Sequence, residues 1–170
     1  MERHTANLLG ALCLAVSDRV AKATREAIGH AGETPAAIVL MGLEPGLSTE
    51  RLRTYLGLSH PGAVRLVDRL VADGYVERRP GKDAREGALH LTTEGKRARS
   101  LLHRRRCEAI ARALVPLSVA EQKQLAALVT KMLQGLPTTE AEMYSICRLC
   151  NEHDCPDCPL QGDVYAGNGS

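Results

Sequence analysis

Tryptophan and phenylalanine are absent from the 170 residues, and the whole aromatic complement is Tyr55, Tyr75, Tyr144 and Tyr165. Single-stranded nucleic acids are held largely by stacking bases on aromatic or Arg planes, so that class of function is disfavoured. Long apolar runs are equally scarce. Leu8 to Val16, behind Arg3, has about the length of the apolar core of a secretory signal. No small-residue cleavage site follows. The pattern runs on through Ser17, Asp18, Arg19, Lys22, Arg25 and Glu26 as an amphipathic helix, and no stretch is long enough to span a bilayer. The expectation is a cytoplasmic protein that does not engage membranes, with its six cysteines reduced or acting as ligands rather than paired in disulfides. A phosphate-cradling Gly-rich loop is missing, and no Ser/His/Asp or paired-carboxylate arrangement stands out, so no enzymatic activity is expected.

What is present is unevenly spread. The net charge of +2 conceals fourteen Lys and Arg against six Asp and Glu within residues 51–106, between mildly acidic flanks. A basic centre of this kind suits contact with phosphate, while a merely solvated surface is the plain alternative. The length allows one compact domain, or a small domain with extensions.

Leu8, Leu9, Leu12, Val16, Val20 and Ala27 recur at helical spacing and predict a helix from about Asn7 to His30, with Gly32 as a stop. Thr34 is a possible cap for a second helix that starts at Pro35 and ends before Glu44-Pro45-Gly46. Ser48 caps a short helix with Leu52, Tyr55 and Leu56 inside, closed by Gly57. Ser59 caps a longer one, His60 to Asp73, with Ala63, Leu66, Val67, Leu70 and Val71 inward. Two short helices around a glycine-containing turn form the helix-turn-helix pattern, which any small helical bundle can also produce.

The next segment is more specific. Tyr75 to Arg79 and Ala88 to Leu91 read as two strands around a charged turn, a β-hairpin with Lys82 and Arg85 at its tip. A hairpin directly after a helix-turn-helix is a wing, and basic residues at its tip can lie on phosphates or reach into the minor groove. Thr92 or Thr93 then caps a helix to about Leu114, Ser118 and Glu121 form a capping box for another up to Gly135, and a short helical piece spans Glu140 to Leu149. The fold class expected is mainly α with a small β-hairpin. Residues 161–170 have the composition of a frayed tail.

Leu58-Ser59, Arg65-Leu66-Val67-Asp68-Arg69-Leu70, Gly74-Tyr75-Val76-Glu77-Arg78, Asp83-x-Arg85 and Leu91-Thr92-x-Glu94-Gly95 together closely resemble the MarR-type winged-helix regulators, over roughly residues 7–136. The resemblance implies a homodimer, usually a repressor, that reads a pseudo-palindromic double-stranded operator and is released by a small ligand, oxidation or a metal. It divides the chain into an N-terminal dimerisation helix (1–32), a winged helix-turn-helix domain (33–95) and C-terminal dimerisation helices (96–136), followed by a cysteine-bearing segment (137–160). Carried over by position, Ser59, His60, Arg65 and Arg69 face the groove or the backbone, and Arg78 and Arg79 flank the wing base. Arg85 enters the minor groove, braced by Asp83. Each has a plainer alternative: Asp68 can pair locally with Arg65 or Arg69, Arg69 can bond within the domain, and Lys82 can simply be solvated. Val64 stands where the family often has Ser or Thr, and Pro61-Gly62 opens the helix unusually.

The cysteine segment lies outside that resemblance and is read from spacing alone. Cys147 and Cys150, then Cys155 and Cys158, form two Cys-x-x-Cys pairs within twelve residues, the first on a helix end and the second on a Pro-limited loop. Four thiolates so spaced can converge on one ion. Zinc accepts a closed tetrahedral thiolate shell; an iron–sulfur cluster uses the same four ligands, and the Cys-Pro steps resemble ferredoxin-type runs; a thiol–disulfide switch is the third reading. His153 can be a ligand, a neighbour of the centre or an ordinary surface residue. Cys13 and Cys107 are expected as small buried apolar residues. A different class of function is a small redox or metal-transfer protein whose winged helix binds a partner.

Overall fold

The computed structural model of the chain describes residues 2–81, 87–155 and 158–160. A long helix α1 (Arg3–Ile28) is followed by α2 (Thr34–Leu43), the two-residue strand β1 (Leu47–Ser48), α3 (Thr49–Leu56) and α4 (His60–Ala72). Strands β2 (Val76–Pro80) and β3 (Gly87–Leu91) form the hairpin, and α5 (Thr93–Leu114), α6 (Val119–Leu133) and α7 (Glu140–Cys147) complete the chain before a 3-10 turn at Glu152–Asp154. The mainly helical fold with a small antiparallel sheet is the one expected.

Local chemistry accounts for most of the boundaries. The side chains of Ser48, Ser59, Thr92 and Ser118 each accept a bond from the backbone N–H three residues on, satisfying a donor that the first helical turn leaves free. Ser118 and Glu121 complete a reciprocal capping box. One expected cap is corrected. Thr34 is the first residue of α2 rather than its cap; Glu33 precedes the helix without a side-chain bond, and the Thr34 hydroxyl is buried, where it accepts from Arg69. A distant partner outcompetes the local cap.

The core gathers around α2, in which every residue from Thr34 to Met41 is buried. Leu52 and Tyr55 of α3, Leu66, Val67 and Leu70 of α4, Val76, Leu89 and Leu91 of the sheet, and Ala98 and Leu102 of α5 close over it. The sheet has the order β1-β3-β2, all antiparallel, with Leu47 opposite Leu89 and Val76 opposite Leu91. Strand β1 was not expected: two residues carry no alternating pattern of their own, and only β3, some forty positions on, gives them a partner. Gly95 sits where α5 passes the hairpin, and a Cβ there would collide with the Tyr75 carbonyl. Only glycine permits so close an approach.

Helix α1 lies along α5, and Ala27 and Ile28 at its C-terminal end pack against the core. Its N-terminal half exposes Leu8, Leu9, Leu12 and Leu14, and α6 has no buried residue and exposes Leu128, Val129 and Met132. Cys13 and Cys107 are likewise exposed, against the expectation of burial. No described helix is long and apolar enough to cross a membrane.

Candidate nucleic-acid interface and cysteine cluster

Helix α3 ends at Gly57 in the left-handed conformation (φ 63°), and the chain turns through Leu58 into α4. Arg53 secures the turn by donating to the Leu58 carbonyl (3.4 Å) and to Glu50 (2.8 Å). The Pro61-Gly62 start of α4 finds its reason here. Pro fits a first turn whose N–H would be free in any case, and the N–H of Gly62 is the one that bonds the Ser59 hydroxyl, at 3.3 Å.

With Ala63, Leu66, Val67 and Leu70 buried, α4 turns Ser59, His60, Arg65, Asp68 and Arg69 outward. Their side chains are not equivalent. Arg65 is exposed and meets no hydrogen-bond or ionic partner among the described residues. His60 stands 3.8 Å from Glu50, whose carboxyl is held below its ordinary range chiefly by the bond from Arg53. Arg69 reaches back into the domain and donates to Thr34 Oγ1 at 3.1 Å. That is the within-domain alternative; a role for Arg69 in the groove is not what its geometry favours. Val64 is half-buried beside the outward face.

On the wing, Arg78 donates to Asp68 Oδ1 at 2.6 Å, tying β2 to α4, and Arg79 bonds Glu77 on its own strand (3.0 Å from Nε). Both guanidinium groups remain about half exposed, so the pairs are weak restraints that a phosphate can replace. The predicted wing-tip residues Lys82, Asp83 and Arg85 lie outside the described residues. A cleft of about 320 Å³ runs between this module and α5, lined by Gly42, Arg79, His90, Lys96, Arg99 and Ser100 among others.

The cysteine segment folds back onto the body of the protein. Met143 and Leu160 are buried, and Leu149 packs at the edge of the core. Cys147 ends α7, and the N–H of Cys150 bonds the Cys147 carbonyl at 2.7 Å. The Cys147 thiol has both Cys150 and Cys158 as hydrogen-bonding neighbours. These neighbours and burial push the Cys147 thiol well up. Cys150, hydrogen-bonded by Cys147 and facing Arg106 (Nη2 to Sγ 3.9 Å), is pulled down to about 6.

Cys155 is exposed at the end of the 3-10 turn. Among the described residues no three His, Cys, Asp or Glu groups are set to hold an ion as they stand. His153 is highly exposed, 3.8 Å from Glu152. Its plain surface reading is the one that fits.

The surroundings of the cysteines hold residues that the sequence reading did not single out. Arg99, His103 and Arg106, spaced four and three apart, share one face of α5. Arg99 grips both carboxylate oxygens of Glu152 (2.5 and 2.6 Å). Burial of Glu152 works to raise its pKa, but Arg99 prevails and holds the carboxyl below its usual range. Across Gly42 of α2 there is room for the Arg99 side chain only because no Cβ intervenes. His103 Nε2 is buried with no partner among the described residues, and burial lowers its pKa. The helical spacing of these three could have been read from sequence; their facing partner could not.

The topology and the exposed basic edge define a winged helix-turn-helix protein, and comparison with known proteins narrows the class. A profile described as MarR family matches residues 35–86. The regulator PetP of Rhodobacter capsulatus is 39% identical over 52% of this chain and 56% of its own length, and BilQ of Clostridium symbiosum is 34% identical over 56% of this chain and 67% of its own; both are named HTH-type transcriptional regulators. The chain belongs to the MarR family, whose members are transcriptional regulators and not enzymes. It thus spans little more than half the length of PetP. Solved structures share the fold: YusO of Bacillus subtilis has a TM-score of 0.66 at 20% identity, covering 78% of this chain and 94% of its own. A Staphylococcus aureus MepR variant bound to an oligodeoxyribonucleotide has a TM-score of 0.58 at 21% identity, covering 80% of this chain and all of its own.

Proposed function

We propose that this protein is a homodimeric, cytoplasmic repressor that binds a pseudo-palindromic site in double-stranded DNA. The observation that carries the reading is the outward face of α4: Ser59 and His60 at its start and, one turn on, an exposed Arg65 with no partner among the described residues, beside Arg78 and Arg79 of the wing. A helix presenting short polar and basic side chains from its first turns fits the major groove, and an adjacent basic hairpin fits the flanking backbone or minor groove. Ser59, His60 and Arg65 then meet bases or phosphates, with Arg78, Arg79 and Lys82 on the backbone. Arg85 enters the minor groove with Asp83 orienting its guanidinium. That a MepR variant of the same fold is bound to an oligodeoxyribonucleotide supports DNA as the ligand.

The exposed leucines of α1 and the exposed apolar side of α6 support the dimer, because a lone protomer would leave both in water. Control would come from a metal at Cys147, Cys150, Cys155 and Cys158, zinc first and an iron–sulfur cluster as the alternative, or from a small effector in the cleft beside Arg79, Lys96 and Arg99. Selection of bound duplexes from a random pool, followed by Arg85→Ala on the recovered site, tests the reading. Binding should weaken about 10- to 100-fold with the dimer intact; loss of the dimer, or recovery of no duplex at all, contradicts it.

A further inference from the structure

We propose that the cysteine segment is a zinc-tightened clasp that ties the DNA-reading module, through α3, to the long helix α5. The proposal rests on the winged-helix reading above and concerns how that module is controlled.

The clasp has two attachments. On α3, Tyr144 stacks on Tyr55 with ring centroids 4.3 Å apart and planes inclined by 16°, and Glu140 accepts from Arg51 at 3.0 Å. Arg51 is itself fixed by Glu44 (3.1 Å) and by the Tyr55 hydroxyl, so the attachment reaches the end of α2 as well. On α5, Glu152 is gripped by Arg99, and Cys150 faces Arg106. The sulfurs lie between these attachments along the chain. Cys147 is three residues beyond Tyr144, and Cys150 is two residues before Glu152. Any movement that gathers the sulfurs pulls on both ends.

Charge decides what the sulfurs can take. Four thiolates around one Zn²⁺ carry a net charge of 2−, which an apolar or acidic surface would reject. The face beneath them offers the Arg106 guanidinium, with Arg99 offsetting the charge of Glu152, and the buried Nε2 of His103, which has no partner among the described residues. Zinc displaces the thiol protons to solvent and holds the four sulfurs in one tetrahedral shell, with Cys155 among the ligands. Cys155 ends the same 3-10 turn that carries Glu152, its N–H bonded to the Glu152 carbonyl at 3.2 Å. An ion held by Cys155 therefore fixes the turn that holds α5. A clasp closed on both helices lowers the cost of ordering α3 and α4 against α5 on binding duplex, so zinc should raise affinity.

The test uses the full chain, stripped of metal under reductant and titrated with zinc alone, with amide hydrogen exchange in residues 49–56 and 99–106 and duplex affinity read on the same samples. One zinc per chain, exchange slowed at least about 10-fold in both segments and affinity raised at least about 5-fold are expected. Cys150→Ser should abolish all three, and Glu152→Gln should keep the zinc while losing most of the gain in affinity. Failure to bind zinc, isolation as a brown iron-containing protein, or zinc binding without slower exchange in residues 49–56 overturns the proposal. Duplex affinity that ignores or falls with zinc overturns the clasp and leaves the DNA reading standing. Zinc-dependent exchange with no duplex binding under any condition keeps the clasp and removes the DNA reading.

Discussion

Arg65 and Arg69 are one helical turn apart on α4, and the sequence alone gives them the same role. Their surroundings separate them. Arg65 has no partner among the described residues, whereas Arg69 is bonded to the buried Thr34 of α2. Arg65→Ala should therefore lower duplex affinity about 10- to 100-fold with thermal stability unchanged, and Arg69→Ala should cost about 1 kcal/mol of folding stability. Binding isotherms and denaturation of both variants check the contrast, and the reverse assignment would refute it. His103 supplies a pH signature at the same scale. Burial disfavours its charged form, and Arg99 and Arg106 on its own helix add to that, while Glu152 and Asp154 from the cysteine segment oppose it. The unfolded chain then takes up this proton more readily, near pH 6.5. Stability is flat above that value and falls as pH drops below it toward the lowered folded pKa. His103→Gln should flatten the slope in denaturation between pH 7.5 and 5, and an unaltered slope would mean the group is not buried neutral.

At the scale of elements, what was legible in the sequence is what local chemistry decides. Ser48, Ser59, Thr92 and Ser118 mark helix starts because a hydroxyl and a free N–H three residues apart need nothing else. The inward stripe of α4 is likewise local. Thr34 shows the limit: its cap chemistry is present, but a guanidinium 35 positions away claims the hydroxyl. Strand β1 and the seat of α7 on α3 are invisible for the same reason, since each exists only through a partner remote in the chain. The exposed apolar positions of α1 and α6 were legible as helix faces, and their exposure among the described residues is what the proposed dimer would cover. Glutamate at Leu128 or Met132 should shift the protein to monomers in sedimentation at micromolar concentration while leaving helicity within about 10% of the parent. A dimer that survives both changes would place the interface elsewhere.

At the scale of the whole molecule, the modest net charge hides a division of labour. The basic excess of residues 51–106 falls on α3 to α5 and the hairpin, and acidic residues such as Glu140, Glu142 and Glu152 come with the cysteine segment, two of them paired to Arg51 and Arg99. The winged helix and its basic edge were readable before any coordinates because helix, turn, helix and hairpin follow one another directly. The seat of the cysteine segment was not, because ligand spacing says which atoms can meet and not which surface they meet upon. The central claim is that the exposed face of α4 and the wing hold duplex through phosphate neutralisation. Affinity for a selected duplex between 50 and 200 mM salt tests it most directly: with six to ten phosphate contacts per dimer it should fall about 10³- to 10⁵-fold. No binding at the lowest salt, or an affinity indifferent to salt, would contradict it.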